Sequence, residues 1–149
     1  MLRTKEKVEG RDLILLALNF FYEYGEREVS LSEILECFQQ IRDKIPTKYE
    51  FTERFLYSAD LVDDLRNLNY YGYIRQFTYR HDAFLPKTYY LLTELGRGHS
   101  KRVLDRIPDN YLHVLNKSVK SAMEKHHKRW RFWARPSRQF QESEEPTIQ

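Results

Sequence analysis

Cysteine, tryptophan and long apolar runs are all scarce in this 149-residue chain. A single cysteine, Cys37, excludes an internal disulfide and a cysteine cluster for metal, as is typical of a protein in a reducing compartment. The longest apolar run, Leu13–Leu18, covers six residues, whereas a membrane-spanning helix needs about 20. The first residues are charged and lack the apolar stretch of a secretory signal. These absences predict a cytoplasmic protein without a membrane segment.

The positive charge of the chain is concentrated near one end. The formal net charge is +3, yet residues 117–138 carry eight basic side chains against one acidic side chain, and residues 139–149 carry three glutamates and no base. Such a basic segment is typical of a chain that meets a polyanion, although a solvated helix face has the same composition. Hydrophobic residues make up 41%, which is enough for the core of one domain.

Two helices are predicted at the start of the chain. Residues 11–24 are apolar on most faces, which is typical of a central helix, and Gly25 ends it. Ser30 and Glu33 form a Ser-x-x-Glu capping box that opens a second helix, and Pro46 ends that helix.

A third helix is expected to begin at Thr52, with Phe51 and Leu56 placed as a hydrophobic staple across its first turn. Gly72 closes it. The buried stripe of this helix is predicted to consist of Phe55, Ala59, Leu61, Val62, Leu65 and Leu68.

After Gly72 the hydrophobic period changes. Residues 73–80 alternate and are rich in aromatic and β-branched side chains, and residues 88–92 form a second short strand, so the two predict a hairpin. Thr93 starts a fourth helix that runs towards Ile107. A fifth, long helix follows Pro108. The fold class is therefore mainly α, in the α+β class.

Two motifs refine this order of elements. The first is a run of leucines, Leu61, Leu65 and Leu68, that leads into Gly72-Tyr73-Ile74; it resembles the recognition helix and turn of winged helix-turn-helix regulators. The second, Tyr90–Arg97, is similar to the stretch that ends the wing in PadR-like and MarR-like repressors. The resemblance spans residues 11–107. It implies a winged helix-turn-helix with a two-stranded β-hairpin wing, preceded by an N-terminal arm (1–10) and followed by a long C-terminal helix (108–135) and an acidic tail (136–149) that is expected to be disordered.

The resemblance also implies sequence-specific binding of double-stranded DNA, with a role in transcription regulation. Carried over by position, the groove-facing residues of the third helix are Thr52, Arg54, Tyr57 and Ser58. The wing residues expected at phosphates are Arg75, Arg80, His81 and Lys87. One departure from the pattern is the acidity of the third helix, which holds Glu53, Asp60, Asp63 and Asp64 against two arginines. The alternative is therefore a winged helix that uses this acidic helix to bind a protein partner within a larger assembly.

The last helix has an apolar stripe and a basic end, and each has two interpretations. The stripe is predicted to form a homodimer interface, as in the families it resembles; the alternative is that it packs on the first helix of its own chain. The residues of this interface are Leu112, Leu115, Val119, Ala122, Met123 and Trp130. In the stretch 125–133, the cations Lys128, Arg129 and Arg131 are candidates for phosphate contacts, and a solvated basic face is the alternative.

No enzyme, cofactor or metal site is predicted. Gly96-Arg97-Gly98 is too short for a phosphate-binding loop, and Cys37 lacks an evident base. Asp60 and Asp64 share a helix face, but two carboxylates on a helix are usually solvated, and the histidines lack partners at a ligand spacing.

Overall fold

The computed structural model describes residues 8–54, 56–79 and 87–134, and for residues 128–134 the backbone alone. These residues form a mixed α+β fold with five helices and one three-stranded antiparallel sheet. The elements, in chain order, are α1 (Gly10–Glu23), β1 (Glu28–Ser30), α2 (Leu31–Ile41), α3 (Ala59–Tyr70), β2 (Ile74–Tyr79), β3 (Lys87–Leu92), α4 (Glu94–Leu104) and α5 (Asp109–Ala134).

Glycines end α1 and α3, as predicted. Gly25 and Gly72 have φ angles of +98° and +85°, a conformation that only glycine adopts without strain. After α1, the Glu26 amide donates to the Phe21 carbonyl (2.9 Å) and the Gly25 amide to the Tyr22 carbonyl (3.0 Å). The same pair of bonds recurs after α3. Both ends are Schellman motifs, which satisfy the last carbonyls of each helix.

The predicted capping residues of α2 and α4 are confirmed. The Glu33 amide donates to Ser30 Oγ (3.1 Å) while the Ser30 amide donates to Glu33 Oε1 (3.0 Å), which completes the capping box. Thr93 Oγ1 accepts from the Gly96 amide (3.1 Å) and donates to the carbonyl of Tyr73 (2.9 Å). Thr93 therefore caps α4 and ties it to the start of β2.

The sheet has the order β1–β3–β2. The predicted hairpin is confirmed, with Arg75 opposite Leu91 and Tyr79 opposite Lys87. The sequence did not predict β1, whose three residues pair with the other edge of β3. Because β1 leads directly into α2, this pairing fixes the hairpin to the helical part of the fold.

The core surrounds α1, whose residues Leu13–Leu18 are all buried, as a central helix requires. α4 packs on α1, and α5 packs on α2 and α1. Leu115 and Val119 of α5 belong to this same core. The long C-terminal helix is thus part of the one hydrophobic core of the described chain.

Candidate nucleic-acid interface

The third helix begins six residues later than the sequence predicts from Thr52 as its cap. Ser58 is the cap of α3, and its Oγ accepts from the Leu61 amide (3.4 Å). The Thr52 amide instead donates to the Tyr57 carbonyl (3.0 Å), a backbone hydrogen bond that lies ahead of the helix. The predicted staple and start of this helix are wrong, because Ser58 competes with Thr52 for the same role.

This shift moves the predicted groove-facing residues off the helix. Thr52, Arg54 and Tyr57 are exposed but precede α3, and Ser58 is buried. Within the predicted stripe, Leu61, Leu65 and Leu68 are buried as expected, Val62 is half-buried and Ala59 is exposed; Phe55 lies outside the described residues. The side of α3 that faces outward carries Asp60, Asp63, Arg66, Asn67 and Tyr70.

One of the acidic residues of α3 points into the protein. Asp64 is 3% exposed and accepts hydrogen bonds from Tyr49 Oη (2.6 Å) and Lys48 Nζ (3.3 Å). Burial, and then the Asp64 carboxylate, raise the pKa of Tyr49 well above its usual value, so the phenol stays a donor. Asp64 is therefore compensated inside the fold and adds no bare negative charge to the outer face.

The outward charge of α3 is small. Arg66 Nη1 lies 2.9 Å from Asp63 Oδ1, in an exposed ion pair one turn apart. Exposed pairs of this kind are weak, so Arg66 remains available to exchange Asp63 for another partner. Asp60 and Asp64 lie in different environments, one exposed and one buried. Among the residues that the structure describes, no group of three His, Cys, Asp or Glu side chains is placed to hold a metal ion.

The end of α3 presents two tyrosines that the sequence marked only as the end of a helix. Tyr70 is 80% exposed and Tyr71 is 61% exposed, and their ring centroids lie 5.0 Å apart in an edge-to-face contact. Directly before them, Asn69 Oδ1 accepts from the Gln76 amide (3.0 Å), which joins α3 to β2. The signal in the sequence was the pair of tyrosines directly before Gly72, at the last residue and the cap of the helix.

The hairpin carries its cations on the outer side of the sheet. Arg75, Phe77 and Tyr79 share this face by strand alternation, and Arg75 and Lys87 are exposed. Rings of Phe77, Tyr79 and Tyr89 meet edge-to-face along it. The other two predicted wing residues, Arg80 and His81, lie outside the described residues.

We name the α3–β2 surface by its residues Arg66, Asn67, Tyr70, Tyr71 and Arg75. All five are exposed and follow one another within ten positions of the chain. The turn at Gly72 and the bond from Gln76 to Asn69 hold the two halves of this surface together. Within ten positions of the chain it offers guanidinium groups, an amide and aromatic rings, which are the groups that proteins use for phosphates and base edges.

The predicted dimer stripe on α5 is wrong as an interface. Leu115, Val119 and Ala122 are at most 1% exposed and pack within their own chain, while Leu112 and Met123 are half-buried against the same core. The alternative interpretation of this stripe holds, since its apolar side is covered by α1 and α2. The side chain of Trp130 lies outside the described residues, as do those of Lys128, Arg129 and Arg131.

No family model, curated protein or solved structure matches this chain. Within the part of the chain that the structure describes, every helix is too short or too polar to cross a membrane.

Proposed function

We propose that this protein is a winged helix-turn-helix protein that binds double-stranded DNA and regulates transcription in the cytoplasm. The observation that carries the proposal is the α3–β2 surface. It lies where α3 ends and the hairpin begins, so exposed residues of a helix that can enter a major groove are followed directly by exposed residues of a hairpin that can lie on the backbone. The helices, the hairpin and the β1 strand that fixes it are compatible with this class of fold.

The residues that carry recognition change with the corrected start of α3. Arg66, Asn67 and Tyr70 lie on the outward side of the helix. They replace the residues of segment 52–58 as the proposed recognition residues. An amide side chain reads an adenine edge and a guanidinium reads a guanine edge, so Asn67 and Arg66 are the proposed base contacts. Arg75 and Lys87 are the proposed phosphate contacts, which position the protein without specifying a sequence.

A duplex-DNA titration followed by fluorescence anisotropy tests the proposal at two salt concentrations. The protein should bind a generic duplex at low salt and lose affinity steeply as salt rises, because phosphate contacts release counterions. Replacing Arg66, Arg75 and Lys87 together by alanine should reduce the slope of log affinity against log salt by about 2, one for each of the two proposed phosphate contacts. Failure of the wild-type protein to bind at low salt rejects DNA binding.

A matched control removes the same charge elsewhere. Lys101, Arg102 and Arg106 are exposed on α4 and directly after it. Their triple alanine variant should keep the salt slope of the wild-type protein. If both triple variants lose the same slope, the binding is a general effect of net charge and the α3–β2 surface has no special part in it.

A second candidate is a winged-helix module that binds a protein. The large exposure of Tyr70 and Tyr71 favours it, since exposed tyrosines are common anchors at protein interfaces. Asp60 and Asp63 on the same helix would suit a basic partner. Two results together would support this candidate. The wild-type protein binds no duplex at low salt, and changing both Tyr70 and Tyr71 to alanine abolishes its binding to a protein partner. A homodimer stays a prediction, and the buried side of α5 is not offered as its interface.

A further inference from the structure

Two carboxyl groups meet where the α1–β1 loop (residues 24–27), the start of α2 and the C-terminal half of α5 come together. Glu33 of α2 is 3% exposed, and the Glu26 side chain in the loop is 13% exposed. The two carboxyl groups lie within hydrogen-bonding reach of each other. Their Oε2 atoms are both buried, and neither accepts a hydrogen bond from any donor in the described residues. A proton held between the two carboxyls is the donor that these oxygens lack.

Each carboxyl has a second task through its other oxygen. Glu33 Oε1 accepts from the Ser30 amide (3.0 Å) in the capping box of α2. Glu26 Oε1 lies 3.2 Å from Nε2 of His127 on α5. A proton shared by Glu26 and Glu33 would complete a chain of polar contacts that runs from the start of α2 through the loop to α5.

The contact with His127 is one of several polar side-chain contacts in the described residues that hold this part of α5. Others join Ser121 to Gln40 (3.3 Å) and Lys125 to Glu36 (2.7 Å), both on α2. Of the two carboxyl groups, that of Glu26 lies on a loop and is the more exposed. It is therefore the carboxyl group that can turn towards water when both groups are negatively charged.

We propose that Glu26, Glu33 and His127 form a proton-operated latch: a shared proton holds the C-terminal half of α5 on α2 and the α1–β1 loop, and loss of that proton as the pH rises releases it. The segment that the latch controls includes part of the basic stretch 117–138. The latch is independent of the proposed DNA binding, since it concerns only how α5 is held.

The charged and titratable groups around the latch agree with this direction. Burial, and then Glu26, raise the pKa of Glu33 to about 8, and burial raises the pKa of Glu26. His126 on α5 opposes the shift at Glu33. On the sheet side, Tyr89 of β3 has a raised pKa from burial first and then from Glu33, Glu28 and Glu26, so the phenol adds no negative charge there near neutral pH.

The sign follows from linkage. The ordinary pKa of a glutamate carboxyl is 4.5, whereas the pKa of Glu33 is about 8 while α5 is docked. The equilibrium constant for release of α5 therefore rises by at most about tenfold per pH unit between these two pKa values. Above the pKa of the docked state it changes no further. Below the ordinary value the latch is fully closed.

Amide hydrogen exchange on the full chain, measured by mass spectrometry, tests the latch. After division by the intrinsic exchange rate, exchange of residues 121–127 should rise between pH 5.5 and pH 8 and then level off, while residues 111–117 of the same helix stay constant. Glu33→Gln should remove the rise, because the amide keeps the capping oxygen and donates to Glu26 at every pH. A wild-type protein without the rise, or a Glu33→Gln variant that keeps it, overturns the proposal.

Glu36→Gln is the matched control, since it weakens the contact with Lys125 and leaves the two latch carboxyls intact. It should raise exchange at every pH and keep the same pH dependence. A carbon-13 titration of the Glu33 carboxyl in the wild-type protein gives an answer independent of any variant. A midpoint near 8 supports the latch, and a midpoint near 4.5 overturns it.

Discussion

Tyr49 and Asp64 meet in the interior, where the tyrosine hydroxyl donates a hydrogen bond of 2.6 Å to Asp64 Oδ2. Tyr49 lies on the segment after α2, and Asp64 lies on the buried side of α3. The bond fixes the orientation of α3 against that segment, and through it the position of the α3–β2 surface.

Removing this hydroxyl should destabilise the protein. In Tyr49→Phe the buried carboxylate loses this donor and, among the described residues, keeps Lys48, which is itself half exposed, so we expect a loss of about 1–3 kcal/mol in the free energy of unfolding. Urea denaturation followed by circular dichroism measures it. Tyr57→Phe, at an exposed phenol, is the control and should change the free energy by less than about 0.5 kcal/mol. Equal losses would mean that the bond to Asp64 contributes nothing.

The corrected start of α3 can be checked with two alanine variants. Ser58→Ala removes the cap of α3 and should cost about 1 kcal/mol, whereas Thr52→Ala changes a residue ahead of the helix and should cost less. Thermal unfolding of both variants in the same buffer ranks them. The reverse ranking would restore Thr52 as the start of the helix.

The two glycines of the Gly96-Arg97-Gly98 stretch should respond in opposite directions. A Cβ on Gly96 would collide with the carbonyl oxygen of Tyr73, which is backbone and cannot turn aside. At Gly98 the nearest atom is 3.9 Å away, at the flexible end of Arg102. Gly96→Ala should therefore destabilise the fold by more than about 1 kcal/mol, while Gly98→Ala should stabilise it by about 0.5–1 kcal/mol. Chemical denaturation midpoints decide between this pattern and equal effects.

Cys37 should be unreactive in the folded protein. It is fully buried, and burial raises the pKa of its thiol to about 12. At pH 8, labelling by a disulfide reagent should be at least about a hundredfold slower than in the denatured chain. Absorbance of the released thiolate follows the reaction, and rapid labelling without denaturant would show that the contact between α2 and α5 opens readily.

Leu115 should matter for folding and not for association. It is fully buried within its own chain, so Leu115→Ala should cost about 2–5 kcal/mol. Changing Leu115 and Val119 together to glutamate should prevent folding, which circular dichroism would show, and should not yield a folded monomer. A folded double variant with half the mass of the wild-type protein by light scattering would restore the dimer stripe.

The sequence predicted those parts of the fold in which a residue acts on its own neighbours. The capping box at Ser30 and the glycines after α1 and α3 are local, so the pattern of side chains was sufficient. The start of α3 failed because Thr52 and Ser58 have almost the same capping propensity, and burial of Ser58 decides between them.

Features that depend on distant contacts were not accessible in the same way. β1 is too short for an alternating pattern to show, and it exists because it pairs with β3 about 60 positions later. The stripe on α5 has the same periodicity whether it meets another chain or its own core. The latch pair depends on a loop and a helix that only the fold brings together.

In the sheet order β1–β3–β2, the strands β1 and β2 lie at the edges. A different feature hinders the pairing of a further strand at each edge. Beyond β1 the chain turns at once into α2, since Ser30 is both the last residue of the strand and the cap of the helix. On β2 the outward amide of Gln76 is already bound to Asn69, and Arg75 adds a charge beside it. Unpaired edges are where folded proteins recruit strands from other molecules. Asn69→Ala would free the Gln76 amide and leave the buried core intact. In that variant, self-association through the sheet would begin at this edge of β2.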